Sequence, residues 1–231
     1  MVGTAREVKE WLSRTGYPLE MEVAKNLQVA GFGISPSEYF EDSDTGKWRE
    51  TDVVAYEQYK SNNCQFNFAL IAECKGKKEE PWVLFSTKDG YPETLSVVRR
   101  ATSEKGRLIL TALAPNQDVR ESPLFAVPEH QGYNLVVKKE DKKNKDVAYS
   151  ALESVLKATM GLVNRLDGLP HINAIPFVWP VIVINAPLFE SYLDGKGELQ
   201  VNEIKKGLLI WKNPMIANNT FVDIYIQKTN F

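Results

Sequence analysis

Arg49-Glu-Thr-Asp52-Val-Val-Ala55 and, further along, Phe68-Ala-Leu-Ile-Ala72-Glu-Cys-Lys75 are two apolar runs with charged residues at one end of each. Runs of this kind, bounded by turn residues, read as strands. The first lies within Lys47–Tyr59 and the second within Phe66–Lys75, with Ser61-Asn-Asn63 turning the chain between them. Strand side chains alternate, so Glu73 and Lys75 leave one face while Cys74 leaves the other. A meander of the two strands lets Asp52, with Glu50 two residues before it, lie across from that pair. Working back towards the N-terminus, Ser37–Ser43 is a further strand, joined to the next by the tight turn Asp44-Thr-Gly46. Residues 4–30 read as helix, broken near Gly16-Tyr17-Pro18, with the stronger part from Pro18 to Ala30. Proline suits a first helical turn, and Gly31 is a natural stop. Leu19, Val23, Leu27 and Ala30 recur at helical spacing and define one buried stripe.

Beyond the meander, Trp82–Phe85 reads as a short strand. Thr94–Ala114 reads as helix followed by strand, and the Pro- and Gly-punctuated remainder of 86–134 as loops. The run from Lys138 to Lys145 is a charged, solvated loop. Ala148–Leu166 is a second helix, with Leu152, Val155, Leu156, Thr159, Leu162 and Val163 on one face. Strands are expected at Val178–Leu188, Glu198–Ile204, Leu208–Trp211 and Phe221–Gln227. No internal repeat, low-complexity tract or flexible linker divides the chain, so residues 1–231 read as one domain.

Composition narrows the function classes. With 43% hydrophobic and 25% charged residues, the chain can bury a core and is no disordered tail. The formal charge of −2 lacks the positive excess of many DNA-binding modules. A local basic rim can still bind phosphate when carboxylates elsewhere cancel it in the total. Two cysteines, Cys64 and Cys74, and two histidines, His130 and His171, give no zinc-ligand spacing and no disulfide framework. The start of the chain lacks a signal-peptide pattern, and the most apolar run, Phe177–Phe189, is too short to span a bilayer. A soluble, cytoplasmic protein with no membrane partner is expected.

Acid-x-Lys triplets are common here: Glu7-Val-Lys9, Glu140-Asp-Lys142, Asp194-Gly-Lys196 and Glu203-Ile-Lys205 all match. Context singles out Glu73-Cys-Lys75, because it closes an apolar strand beside another that carries Asp52. Hydrolysis of a phosphodiester needs a nucleophilic water and stabilisation of charge on phosphate oxygens. A hard divalent cation provides both and prefers oxygen ligands. Asp52 and Glu73 supply carboxylates, and the carbonyl of Cys74 a third ligand. Lys75 can hold the attacking water and offset negative charge in the transition state.

Gly16-Tyr-Pro-Leu-Glu20, Gly31-Phe32, Arg49-Glu-Thr-Asp52-Val-Val-Ala55 and Ala72-Glu-Cys-Lys75 together resemble the PD-(D/E)xK nuclease superfamily. The nearest look is to Mrr-like restriction enzymes and archaeal Holliday-junction resolvases. The pattern covers roughly residues 16 to 78. The resemblance implies a restriction-endonuclease-like α/β core of helix, three-stranded meander, helix and strand, with a mixed central sheet. Ala148–Leu166 and Val178–Ile184 would supply the last two elements, making about 86–140 an insertion. It also implies a catalytic set of Glu20, Asp52, Glu73 and Lys75, magnesium or manganese held by Asp52, Glu73 and Cys74, and a nucleic acid substrate, with DNA favoured over RNA. Thr51 stands where the family's naming proline would be. The family glutamate precedes a Gly-aromatic pair by eleven positions, which selects Glu20 over Glu22. Helical geometry agrees: Glu20 lies roughly 60° from the centre of the apolar stripe and Glu22 roughly 105°.

The expectation is therefore a metal-dependent endonuclease of defence or repair. The alternative is a catalytically inactive module of the same fold that binds nucleic acid or a protein partner. A homodimer would suit a duplex cutter, which commonly needs two active sites. The plainer reading of Glu73 and Lys75 is a surface ion pair on a strand. Cys74 reads as a small buried apolar residue, and Trp48, Trp82, Trp179 and Trp211 as core or sheet-face residues.

Overall fold

Thr4 opens the first helix, α1 (Ala5–Leu12), with a capping box: its hydroxyl accepts from the Glu7 N–H while the Glu7 carboxylate reaches back to the Thr4 N–H. The chain then breaks before α2 (Tyr17–Val29), which carries Pro18 in its first turn. Leu19 and Val23 are buried, and with Leu27 they close on Val53, Ala72 and Cys74 of the sheet. The computed structural model describes residues 4–42, 45–76, 79–87, 93–138, 146–169, 173–212 and 221–229.

β1 (Gly33–Glu41), β2 (Trp48–Ser61) and β3 (Cys64–Lys75) follow as an antiparallel meander. β1 begins four residues ahead of the expected Ser37. Pro36 sits inside it, which an edge strand tolerates because no outer neighbour needs its N–H. The β2–β3 turn is the two residues Asn62 and Asn63, with Asn62 at φ 50°, a left-handed conformation that asparagine accepts.

The middle of the chain corrects the sequence reading. After β4 (Trp82–Ser86), Thr94–Ala114 is not helix then strand. It is α3 (Glu93–Val98), a two-residue strand β5 (Ala101–Thr102) and α4 (Glu104–Leu113). Ser103 ends the strand and caps the helix, its hydroxyl accepting from the Gly106 N–H. After α5 (Gln117–Glu121) comes β6 (Gln131–Val137), most of it in a stretch expected to be loop. Gly132 is the reason for the misreading and for the strand: a Cβ there would stand 2.4 Å from the Phe85 carbonyl, so glycine lets β6 lie against β4. Of Lys138–Lys145, residues 139–145 lie outside the described residues, as do Lys77, Lys78 and His171.

α6 (Val147–Asp167) is capped by Asp146, whose carboxylate accepts from the Ala148 and Tyr149 N–H groups. β7 (Ala174–Ile184) and β8 (Leu188–Leu193) are two strands, where a single one over Val178–Leu188 was expected. Pro180 does not break β7. It falls where the neighbour on one side changes from β5, paired at Val178, to β11, paired from Val181. β9 (Leu199–Ile204), β10 (Lys206–Lys212) and β11 (Phe221–Lys228) are the last strands among the described residues.

The result is a mixed α/β fold in which, among the described residues, one mixed sheet of eleven strands is accompanied by six helices. The sheet order is β1-β2-β3-β7-β11-β10-β6-β4-β8-β9, with β5 beside β7. β7 is parallel to β3 along eleven paired positions. A flat sheet would separate β1 from β8 by about 38 Å at the usual strand spacing. Phe40 of β1 and Leu188 of β8 nevertheless share one core with Leu152, Val155 and Leu156 of α6. The sheet therefore curls round α6, while α2 covers part of its other face.

Candidate active site

β2 and β3 part company at one point, and the polar residues gather there. Their last described pair is Val53 with Ala72; continued one step, the register sets Asp52 opposite Glu73. Instead of closing the ladder, the Cys74 N–H donates to Asp52 Oδ2 at 2.6 Å. The Lys75 carbonyl accepts from the Asn185 N–H on the β7 side. Successive main-chain groups of a strand point to opposite sides, so both Cys74 groups are directed towards β2. The Cys74 carbonyl thus shares the side occupied by the Asp52 carboxylate. The Cys74 thiol enters the apolar cluster with Leu19 and Val23, and burial pushes its pKa up, which suits a packing residue and not a nucleophile.

Glu73 faces α6. Its Oε2 accepts from the Ser154 hydroxyl at 2.9 Å, and its Oε1 from the Lys75 ammonium at 2.5 Å. Glu73 is buried, while Lys75 keeps 32% of its side chain exposed. Glu20 lies in the first turn of α2. It borders a concavity of about 400 Å³ together with Ile34, Pro36, Asp52 and Val53. Glu22 is not part of those walls. Glu20, Asp52, Glu73 and Lys75 are thus gathered at one place, as far as mutual electrostatic influence reaches.

The charges there are unbalanced. Burial pushes the Glu20 carboxyl above its ordinary pKa, and the charges of Asp52, Glu50 and Glu73 add to the rise. Burial likewise raises Asp52, against the pull of the Cys74 N–H and of Lys75, with Glu50 pushing the same way as burial. Glu73 is raised by burial and by Asp52, in opposition to Lys75 and Ser154. Burial works to depress Lys75, but the charge and hydrogen bond of Glu73, with Asp52, outweigh it and hold the ammonium above its usual pKa. Four carboxylates act there against the Lys75 ammonium, with Lys25 also lining the concavity, and negative charge is in excess.

That excess, and a donor set made of oxygen, fits a hard divalent cation. Among the described residues, no three His, Cys, Asp or Glu side chains stand close enough together to hold a metal ion. A cation here would rest on two carboxylates, Asp52 and Glu73, and on the main-chain carbonyl of Cys74.

Ser154 is the residue that the sequence reading passed over. No motif marks it. The available signal was a polar stripe on α6, Ser154, Lys157, Gly161 and Arg165, running beside the apolar one at helical spacing. Trp82 is buried and Trp179 donates its indole N–H to the Leu124 carbonyl, as core and sheet-face residues do. Trp48 departs from that expectation, being 67% exposed.

Other polar groups lie elsewhere. A larger cleft of about 720 Å³ has walls of Leu27, Phe68, Trp179, Val181 and Tyr225, on the face of the sheet shared with α2. Its walls are largely aromatic and aliphatic, with Glu57, Lys206 and Lys228 among them, whereas Glu20 and Asp52 border the smaller concavity. Asp223 of β11 is buried between Arg99 and Arg100, tying the end of α3 to the sheet. His130 Nδ1 and the Ser86 hydroxyl both meet the Glu190 carboxylate. The acid stands in the middle of that trio, so the serine hydroxyl meets the carboxylate and not the imidazole, unlike the order of a serine-histidine-acid triad. No family model matches the chain, and no curated protein or solved structure matches it.

Proposed function

We propose that this chain is a metal-dependent nuclease with a restriction-endonuclease-like core of the PD-(D/E)xK type, hydrolysing phosphodiester bonds of nucleic acid, DNA in preference to RNA. The observation that carries the reading is that Glu20 from α2 and Asp52 from β2 border one concavity, while Asp52 accepts from the Cys74 N–H between Glu73 and Lys75 of β3. The element order supports it too: α2, the β1–β3 meander, α6, then β7 parallel beside β3.

The residues divide the work by their chemistry. Asp52, Glu73 and the Cys74 carbonyl would hold magnesium or manganese. Such an ion, when bound, supplies a Lewis acid that offsets charge gathering on the phosphate. Lys75 has its pKa held up, so it stays an ammonium at neutral pH. It therefore donates hydrogen bonds to the attacking water and the phosphate and does not abstract a proton. Glu20 stands at the rim, where a carboxylate of raised pKa can order and accept a proton from water.

One observation favours a second reading, a module of this fold that binds nucleic acid or a protein without cutting. Lys75 closes on Glu73, and among the described residues no three acidic side chains stand close enough together to hold one cation. Calorimetric titration with magnesium and manganese, beside cleavage assays on duplex DNA, single-stranded DNA and RNA, separates the two. Metal binding with cleavage that is lost in Asp52→Ala supports the nuclease. A chain that binds neither ion and cuts none of these substrates is the binding module.

A further inference from the structure

We infer that Ser154 is a positioning residue for the cation site, holding Glu73 so that its Oε1 is the oxygen offered to a metal ion. The inference rests on the metal-binding part of the proposed function and goes beyond it to a residue of α6.

Serine inside a helix usually turns its hydroxyl back on the main chain one turn earlier. Thr159 does this on the same helix, donating to the Val155 carbonyl at 2.7 Å. Ser154 instead donates to Glu73 Oε2 at 2.9 Å, across 81 positions of chain. The hydroxyl is thereby committed to the sheet. Glu73 gives its other oxygen, Oε1, to Lys75. The two oxygens have different fates: Oε2 is tied to a neutral donor on the helix, and Oε1 is tied to a part-exposed ammonium. Oε1 is thus the oxygen that Glu73 would offer to a divalent cation in place of the ammonium, with the serine bond kept.

The helix is fixed well enough to serve this purpose. One turn beyond Ser154, Lys157 pairs with the buried Asp42 at 3.3 Å, and Arg165 near the end of the helix pairs with Glu38. Between them Gly161 admits Phe40, whose ring would stand 3.0 Å from a Cβ there. These contacts set both the rotation and the axial position of α6 against the strands that carry the acids. A hydrogen bond from such a frame orients a ligand, and loss of an orienting partner weakens metal affinity by about 10–100-fold.

The test is manganese titration by calorimetry on the full chain, with Ser154→Ala and Thr159→Ala. Alanine is the better helix former, so the serine variant keeps its fold. Ser154→Ala is expected to weaken the manganese Kd by about 10–100-fold. Its kcat at saturating manganese should stay near the wild-type value, the deficit appearing in the metal concentration required. Thr159→Ala, which loses a hydroxyl from the same helix away from Glu73, should bind manganese as the wild type does. Wild-type affinity in Ser154→Ala overturns the inference, as does an equal loss in Thr159→Ala. Serine-dependent manganese binding by a chain that cuts nothing would leave Ser154 in its role and remove the nuclease. A wild-type chain that binds no manganese would remove both.

Discussion

Asp52 has two jobs that single substitutions can pull apart. Its carboxylate is a negative charge in an acidic neighbourhood, and its Oδ2 is the acceptor for the Cys74 N–H at 2.6 Å. Asp52→Asn removes the charge and keeps an oxygen acceptor. Asp52→Ala removes both and leaves a part-buried main-chain N–H unpaired. An orphaned donor of this kind costs about 1–3 kcal/mol, and for a chain of this size each kcal/mol moves Tm by roughly 2–4 °C. Asp52→Ala should therefore melt roughly 2–12 °C below Asp52→Asn in metal-free buffer. The asparagine variant should itself melt above the wild type. Burial, with Glu50 adding, holds the Asp52 pKa above its unfolded value, so ionisation costs more in the folded chain. Above the raised value the ionised carboxylate subtracts from stability, and as the pH falls through it a proton relieves the cost. The advantage of asparagine must then be largest at mildly alkaline pH and shrink on acidification. Manganese should invert the order, since a ligand at 100 times its Kd stabilises by about 2.7 kcal/mol and only the wild type retains the site. The assay is thermal denaturation by circular dichroism across pH, in EDTA and in manganese. An asparagine variant less stable than wild type in alkaline EDTA would refute the reasoning, because Lys75 and the Cys74 N–H would then outweigh burial and repulsion.

Two further outcomes are expected. Lys75→Ala should lose cleavage by at least about a hundredfold, the scale for removing a donor aimed at developing charge, while calorimetry shows manganese binding retained or tightened as Glu73 Oε1 is freed. Gly161→Ala should destabilise by about 1–3 kcal/mol in chemical denaturation, because its Cβ would press on the Phe40 ring at 3.0 Å and the packed core cannot yield freely.

The parts of the molecule legible in the sequence are those whose signals are local. Alternation fixed the facing of Glu73 and Lys75 against Cys74, and periodicity found α2 and α6 with their buried stripes. Glu20, chosen over Glu22 by the family spacing and by helical angle together, borders the concavity, and Glu22 does not. The missed elements share a different physics. β6 is a short strand whose pairing partners lie far off in sequence, and Gly132, which lets it lie against β4, is a usual mark of a loop, as is Pro187 just before β8. Pro180 reads as an interruption until the exchange of neighbouring strands beside it is known. Ser154 was invisible for the same reason: its meaning depends on a strand 81 positions away. The sheet's curl round α6, which brings them together, is a property of the whole core.

The charge at the site also predicts an order of binding. Glu20, Glu50, Asp52 and Glu73 act on one another with Lys75 as the ammonium among them. A phosphate entering this field meets net repulsion, and two like charges about 4 Å apart near a protein surface oppose one another by about 4 kcal/mol. The chain as a whole, at −2, provides no broad positive field to offset it. Nucleic acid should accordingly bind well only after a cation has offset most of that negative charge. Calcium, an oxygen-seeking ion, can serve as the probe for binding. Duplex DNA affinity at constant ionic strength should be at least tenfold weaker in EDTA than in calcium, a difference of about 1.4 kcal/mol. Asp52→Asn should narrow that gap from the EDTA side, because it removes one of the repelling charges without adding a ligand. Fluorescence anisotropy with labelled duplex measures both. If wild type binds DNA equally in EDTA and calcium, and Asp52→Asn binds as wild type does, then the phosphate backbone does not pass over these carboxylates. The acids would then belong to the architecture of β2 and β3, and any nucleic-acid surface would have to lie on another part of the molecule.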